Sequence, residues 1–150
     1  MPIPAFDKHG LLPVGTFDCT FAEVEDSFCW NPHRSGLFEG LKRFVDQELV
    51  PLELSAPVYV DGSFTRKKEQ PADIDCVADV SHLADTDMGP VVSLFFRREW
   101  IKEVYQVDFW IKHPMMKNDL VSFFCYTGLK AGAELGLDTK HPKGILRILT

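Results

Sequence analysis

Long apolar runs, an excess of basic residues and closely spaced cysteine pairs are all missing from this chain, and each absence removes a class of protein. No uninterrupted apolar stretch approaches the roughly 20 residues of a membrane-spanning helix, so no membrane partner is expected. The start, Met-Pro-Ile-Pro-Ala-Phe-Asp-Lys, lacks a basic flank leading into an apolar stretch; a secretory leader is therefore not expected, and the cytoplasm is the expected location. Cysteine is sparse. Cys19, Cys29, Cys76 and Cys125 are scattered among apolar neighbours with no Cys-x-x-Cys pair, which suits reduced packing residues better than a disulfide framework. The spacing of Cys19, Cys29 and His33 matches no zinc-binding pattern. Positive charge is also short: 16 Lys and Arg against 22 Asp and Glu give a formal charge of −6, the wrong sign for a standing partner of long DNA or RNA. No internal repeat and no low-complexity tract interrupts the chain.

What is present describes one globular domain spanning residues 1–150. A length of 150 residues supports a single core, and 45% apolar with 25% charged residues argues against disorder. Residues 1–18, rich in Pro and Gly, read as an irregular N-terminal arm. Thr20 followed by Glu23 has capping-box spacing and predicts a two-turn helix through Val24 and Phe28, broken by Asn31-Pro32. From Ser35 onward, Leu37, Phe38, Leu41, Phe44, Val45 and Leu49 recur at helical spacing, and Pro51 closes that helix. Pro57–Val60 reads as a strand ended by Asp61-Gly62, and 74–80 as a buried strand with acids at one end. A helix over 91–100, a strand over 103–111, a helix capped by Asn118 or Asp119 and a final edge strand over 143–149 complete the pattern. The fold class expected is α/β (α+β): a mixed sheet flanked by helices.

The chemistry concentrates in Val60-Asp61-Gly62-Ser63-Phe64-Thr65-Arg66 and Asp73-Ile74-Asp75. Gly62 ends an apolar strand where a missing Cβ lets a phosphate approach the backbone. Ser63 adds a hydroxyl and opens a short helix whose free N–H groups favour an anion. Asp73 and Asp75, one residue apart, project to the same side of a strand while Ile74 faces inward. Paired carboxylates repel unless a cation neutralises them, and their oxygens suit Mg²⁺. Asp108, inside the apolar run Val107-Asp108-Phe109-Trp110, carries a desolvation cost that a partner or metal must offset. Three aspartates beside a phosphate turn describe a two-metal phosphoryl-transfer site.

In these residues the chain resembles the polymerase β-type nucleotidyltransferase superfamily. The resemblance covers Gly62-Ser63, Arg66 in its Gly-Ser-x-x-Arg form, Asp73-Ile74-Asp75 and the distant Asp108, within residues 58–80 and 104–111. It implies the nucleotidyltransferase fold, an NTP held at its phosphates by Gly62, Ser63 and Arg66, and two Mg²⁺ ions, with Mn²⁺ as a substitute, on Asp73, Asp75 and Asp108. It further implies transfer of an NMP to a hydroxyl of a protein or small molecule; minimal members act as antitoxins on a partner toxin or modify aminoglycosides. The sequence departs from the minimal pattern in the spacer Lys67-Lys68-Glu69-Gln70-Pro71-Ala72, where members carry Gly and a Ser- or Asp-rich stretch. A second reading keeps the fold without catalysis: an idle, antitoxin-like or phage- and defence-related interaction protein.

The remaining polar residues have plainer readings. Asp61 before Gly62 reads as a turn former. Asp79, Asp85 and Asp87 read as loop or capping acids. Arg66 divides between a phosphate contact and a surface helix residue. His82, His113 and His141 sit in loop-like contexts, and Lys143 and Arg147 reach a phosphate only if the last strand lies beside the site.

Overall fold

A computed structural model describes residues 3–149. Its centre is a five-stranded mixed sheet of β1 (Thr16–Cys19), β2 (Val58–Asp61), β3 (Ile74–Asp79), β4 (Val107–Lys112) and β5 (Ile145–Ile148), in the order β1-β5-β2-β3-β4. The helices are α1 (Phe21–Phe28), α2 (Pro32–Phe44), α3 (Gly89–Phe96), α4 (Arg98–Tyr105), α5 (Leu120–Phe124) and α6 (Gly128–Leu135). The mixed α+β class expected from the sequence is what the chain adopts.

Strand alternation divides the side chains between two faces. Val58 and Val60, Ile74, Cys76 and Ala78, and Val107, Phe109 and Ile111 point into the main core, where α1 to α4 cover them with Phe28, Phe38, Phe44, Leu94 and Tyr105. The intervening Tyr59 and Val77, with Ile145, meet Leu120, Val121 and Phe124 of the α5 region on the other face. That second face is polar where α5 and α6 do not seal it, and all the aspartates of interest lie there.

Local chemistry explains most element boundaries. Thr20 and Glu23 form the expected capping box, the Thr20 side chain accepting from the Glu23 N–H and the Glu23 carboxylate from the Thr20 N–H. The Asn31-Pro32 break is also the next helix start: the Asn31 side chain accepts from the Arg34 N–H with Pro32 in the first turn, so α2 opens three residues before Ser35. Past Phe44 the helix widens into a π turn (Val45–Leu49) and tightens into a 3₁₀ turn (Val50–Leu52) around Pro51. Gly40 lets α2 approach α4, because a Cβ there would lie 2.3 Å from the Tyr105 carbonyl oxygen.

Several expectations need correction. The arm over 1–18 is not wholly irregular: Thr16–Cys19 forms β1, parallel to β5, with residues 1 and 2 outside those described. Four residues between Pro, Gly and a helix cap give no periodicity from which to read a strand. The helix over 91–100 is two helices meeting at Arg97, and α4 runs on to Tyr105 before Gln106 adopts a left-handed conformation (φ 58°) and the strand begins. The last strand is not an edge; β5 lies between β1 and β2, pairing with both. α6 carried no expectation, since Ala and Gly dominate its first turns and blunt the apolar stripe.

Candidate functional site

Register brings the acids together. In the antiparallel β2–β3 pair Asp61 lies opposite Asp75, and in the parallel β3–β4 pair Asp75 lies beside Asp108. Cross-strand neighbours share a face and sit about 5 Å apart, so Asp61, Asp75 and Asp108 form one row across three strands. Asp73 stands two residues before Asp75, one pleat along the same face. The face expected for Asp73, Asp75 and Asp108 is the one they occupy.

The row is electrostatically expensive. Burial, then the neighbouring charges of Asp73, Asp108 and Asp61, push the Asp75 carboxyl up to about 8. Cations relieve the flanks. Lys102 Nζ lies 3.3 Å from Asp73 Oδ2, and Arg98 Nη2 donates to Asp108 Oδ1 at 3.0 Å while its guanidinium stacks 3.8 Å over the Trp110 ring. Asp61, 1% exposed, accepts from Lys143 Nζ at 2.5 Å and from the Thr65 hydroxyl, and burial nonetheless raises its pKa. Its Oδ2 is buried with no hydrogen-bond partner among the described residues. Asp61 is therefore a strand residue of the site floor and not only a turn former. Among the described residues Asp75 forms no salt bridge, unlike Asp73, Asp108 and Asp61.

Gly62 has a firmer reason than phosphate access. Its φ is +85°, and a Cβ there would lie 1.9 Å from Asp75 Oδ2. The glycine lets the Asp75 carboxylate lie against the turn backbone, and Gly62–Thr65 continues as a 3₁₀ turn with Ser63 half-exposed. Arg34 holds that turn from below. Fully buried, it donates to the carbonyls of Phe28, Lys68 and Phe64, and its guanidinium lies between the rings of Trp30 (3.7 Å) and Phe64 (4.5 Å). Nothing local in the sequence points to Arg34, because the turn and loop carbonyls it binds, those of Phe64 and Lys68, lie 30 and 34 residues away.

Above the acids opens a cavity of about 370 Å³, within the range of small-molecule sites. Asp61, Gly62, Ser63, Asp73, Asp75 and Lys143 line its floor. Phe123, Phe124, Tyr126 and Leu129, on and between α5 and α6, form an apolar wall in which Phe123, Tyr126 and Leu129 are exposed. Arg66 and Lys130 are the basic residues beside that wall. Asp108 does not line this cavity; it sits behind Asp75 under Arg98. Arg66 is 7% exposed and bonds Glu134 of α6 at 2.5 Å, so it is neither a free surface residue nor a free anion contact.

Carboxylate oxygens suit a divalent cation, and the crowding at Asp75 together with the orphaned Asp61 Oδ2 is what such an ion would relieve. Among the described residues, however, no group of three or more His, Cys, Asp or Glu side chains stands ready to hold a metal ion, for the expected aspartates or for Cys19, Cys29 and His33. Asp73 and Asp108 are instead engaged by Lys102 and Arg98. All four cysteines are free.

The other candidates resolve into structural roles. His113 is buried and contacts the Leu83 carbonyl and the Met115 N–H; His82 contacts the Leu54 carbonyl. Arg147 pairs with Asp18 on β1, away from the acids, whereas Lys143 reaches the floor. Asp79 accepts from the Ser81 N–H in a turn. Among the described residues no helix is long and apolar enough to cross a membrane.

Comparison with curated proteins and with solved structures gave no match. A family model does match, over residues 4–149: the chain belongs to the family of unknown function DUF6932.

Proposed function

We propose that this protein is a Mg²⁺-dependent nucleotidyltransferase, moving an NMP from an NTP to a hydroxyl of a protein or small molecule. The observation that carries the reading is the in-register placement of Asp75 and Asp108 on parallel neighbours, with Asp73 one pleat away and the Gly62 turn pressed against Asp75. The cavity adds support, because its charged floor and aromatic wall suit a ligand with a charged end and a flat apolar end.

In this reading Asp73, Asp75 and Asp108 would hold the metal ions. Bound there, Mg²⁺ supplies charge neutralisation for the phosphates and activation of the attacking hydroxyl. The chain's own residues do the rest. Ser63 and the Gly62–Thr65 backbone present donors to phosphate oxygens, Lys143 and Lys130 add positive charge beside the cavity, and Phe123 or Tyr126 offers a ring to the base. Lys102 and Arg98, which pair with Asp73 and Asp108 here, would have to release them for the acids to hold an ion. The formal charge of −6 favours a cationic or basic acceptor.

One observation favours a non-catalytic interaction protein instead: the Lys102–Asp73 and Arg98–Asp108 pairs already neutralise two of the acids without metal. Thermal melting separates the two readings. The enzyme gains stability with at least one of ATP, CTP, GTP or UTP only when Mg²⁺ is present. Asp73→Asn with Asp75→Asn removes that gain without lowering the basal midpoint, and α-phosphate-labelled NTP transfers label to an acceptor in wild type alone. No Mg²⁺-dependent gain with any NTP rejects the enzyme.

A further inference from the structure

The chain carries its own carboxylate in a place suited to phosphate. Glu134 of α6 reaches to the basic loop after the Gly62 turn. Its Oε2 accepts from Arg66 Nη2 at 2.5 Å, and Lys68 Nζ stands 3.3 Å from Oε1. One side chain thus answers two cations that are 68 and 66 residues away in sequence. The loop side of this contact is rigid: Arg34 binds the Phe64 and Lys68 carbonyls, and the Lys67 N–H donates to the Gly10 carbonyl. The helix side is not built in the same way. In α6 only Gly132 is buried, and Glu134 itself is exposed.

Three further cations or donors face the same space: Lys130, Lys143 and Ser63 line the cavity together with Arg66, and of these four Lys143 is committed to Asp61 and Arg66 to Glu134. Arg66 lines that space with its Nη2 held by Glu134, so an anion with several oxygens arriving between the Gly62 turn and α6 competes with Glu134 for that nitrogen. A planar guanidinium accepts a carboxylate or a phosphate in the same fork geometry, so the exchange is chemically conservative.

We infer that Arg66 and Lys68 form an oligophosphate-binding subsite which Glu134 occupies in the ligand-free chain, so that binding of a polyphosphate expels Glu134 and frees α6. This inference assigns the polyphosphate end of the nucleotide in the proposed reaction, but it stands on contacts that involve neither the aspartates nor a base. A positively charged loop that merely stabilises α6 would instead bind phosphate no better when Glu134 is removed.

The probe is inorganic tripolyphosphate in EDTA, with binding followed by calorimetry on the full chain. Glu134→Gln keeps the size of the side chain and removes its charge; it tightens tripolyphosphate binding about three- to fivefold, the upper part of the scale of one exposed charge contact made or lost. Glu103→Gln, the same charge change at an exposed position of α4, leaves affinity within about twofold. Lys68→Gln weakens binding with little change in melting midpoint, which keeps the test open if the buried Arg66 cannot be replaced without unfolding. Hydrogen exchange at amides 128–135 quickens when wild type is saturated with tripolyphosphate and is already fast in Glu134→Gln. Equal or weaker binding by a folded Glu134→Gln, or slower exchange in α6 on saturation, overturns the inference. Asp73→Asn with Asp75→Asn retains tripolyphosphate binding in EDTA, so failure of nucleotidyl transfer and failure of this subsite give different results.

Discussion

Asp75 and Gly62 show how one side chain can set the demands on its neighbours. Asp75 has an unfolded pKa near 3.9, whereas burial and three nearby acids push the folded value up to about 8. Between those values the folded chain holds a proton that the unfolded chain has released. Stability of the metal-free protein therefore falls as pH rises from about 4 to about 8, by at most about 1.4 kcal/mol per pH unit. Asp75→Asn flattens that slope, and a series of urea titrations in EDTA checks it; an unchanged slope would place the titration elsewhere. Gly62→Ala adds a Cβ 1.9 Å from Asp75 Oδ2 at a backbone φ of +85°. Its expected cost is about 2–4 kcal/mol, larger than the usual Gly→Ala effect, because strain and clash coincide. Combining it with Asp75→Ala recovers part of that loss in a double-mutant cycle. At this scale the sequence was informative where the chemistry is local. Asp73, Asp75 and Asp108 could be read from alternation within short apolar runs, and Gly62-Ser63 from a strand end. Asp61 was read as a turn residue because nothing in its neighbours announces Lys143, 82 residues away. Glu134 was invisible for the same reason.

Among the elements, Arg34 of α2 has the widest reach. One guanidinium ties the end of α1 through Phe28, the Gly62 turn through Phe64 and the basic loop through Lys68. Trp30 and Asn31 extend the tie by donating to Glu69. Burial lowers the Arg34 pKa to about 10, the nearby Glu69 charge offsetting only part of it, and the value is still far above neutral pH. Arg34→Met preserves the stem between Trp30 and Phe64 but leaves three carbonyls without donors. The expected loss is about 3–5 kcal/mol, the scale for breaking a buried charged network. Amides 64–70 should exchange faster than those of β3 in the variant; uniform change across both would mean that Arg34 stabilises the core without organising the turn. Element boundaries were legible where caps fix them, as at Thr20 with Glu23 and at Asp119, whose side chain accepts from the Val121 and Ser122 N–H groups. They were not legible where tertiary contact decides. The helix over 98–105 overrode the strand-like alternation of Glu103 to Ile111, because Ile101 and Tyr105 face the core while Lys102, Glu103 and Val104 face out.

Across the whole molecule, the order of strands matters more than their number. Reading 143–149 as an edge strand fits its short length and its terminal place in the sequence, but β5 is hydrogen-bonded on both sides. Ile145, Leu146 and Ile148 are all buried, Leu146 and Ile148 in the main core and Ile145 against α5. The sequence hint was present in the uninterrupted Ile145-Leu146 pair, since a strand apolar on both faces is covered on both. Two consequences distinguish an interior strand from an edge. Removing an edge strand exposes one row of backbone groups and leaves the remaining sheet intact. Removing β5 orphans β1, exposes the β2 edge and takes Lys143 away from the buried Asp61 if the cut falls before it. A chain ending after Gly144 therefore keeps Lys143 and tests the strand alone. It should show no cooperative thermal transition, whereas one ending after Ile148 should melt within a few degrees of the full chain. Circular dichroism melting of the two truncations decides the matter. A sharp transition in the shorter chain would mean that β2, β3 and β4 with α1 to α4 fold as a unit without β5, and that the second face, with the cavity over it, is an addition to that unit.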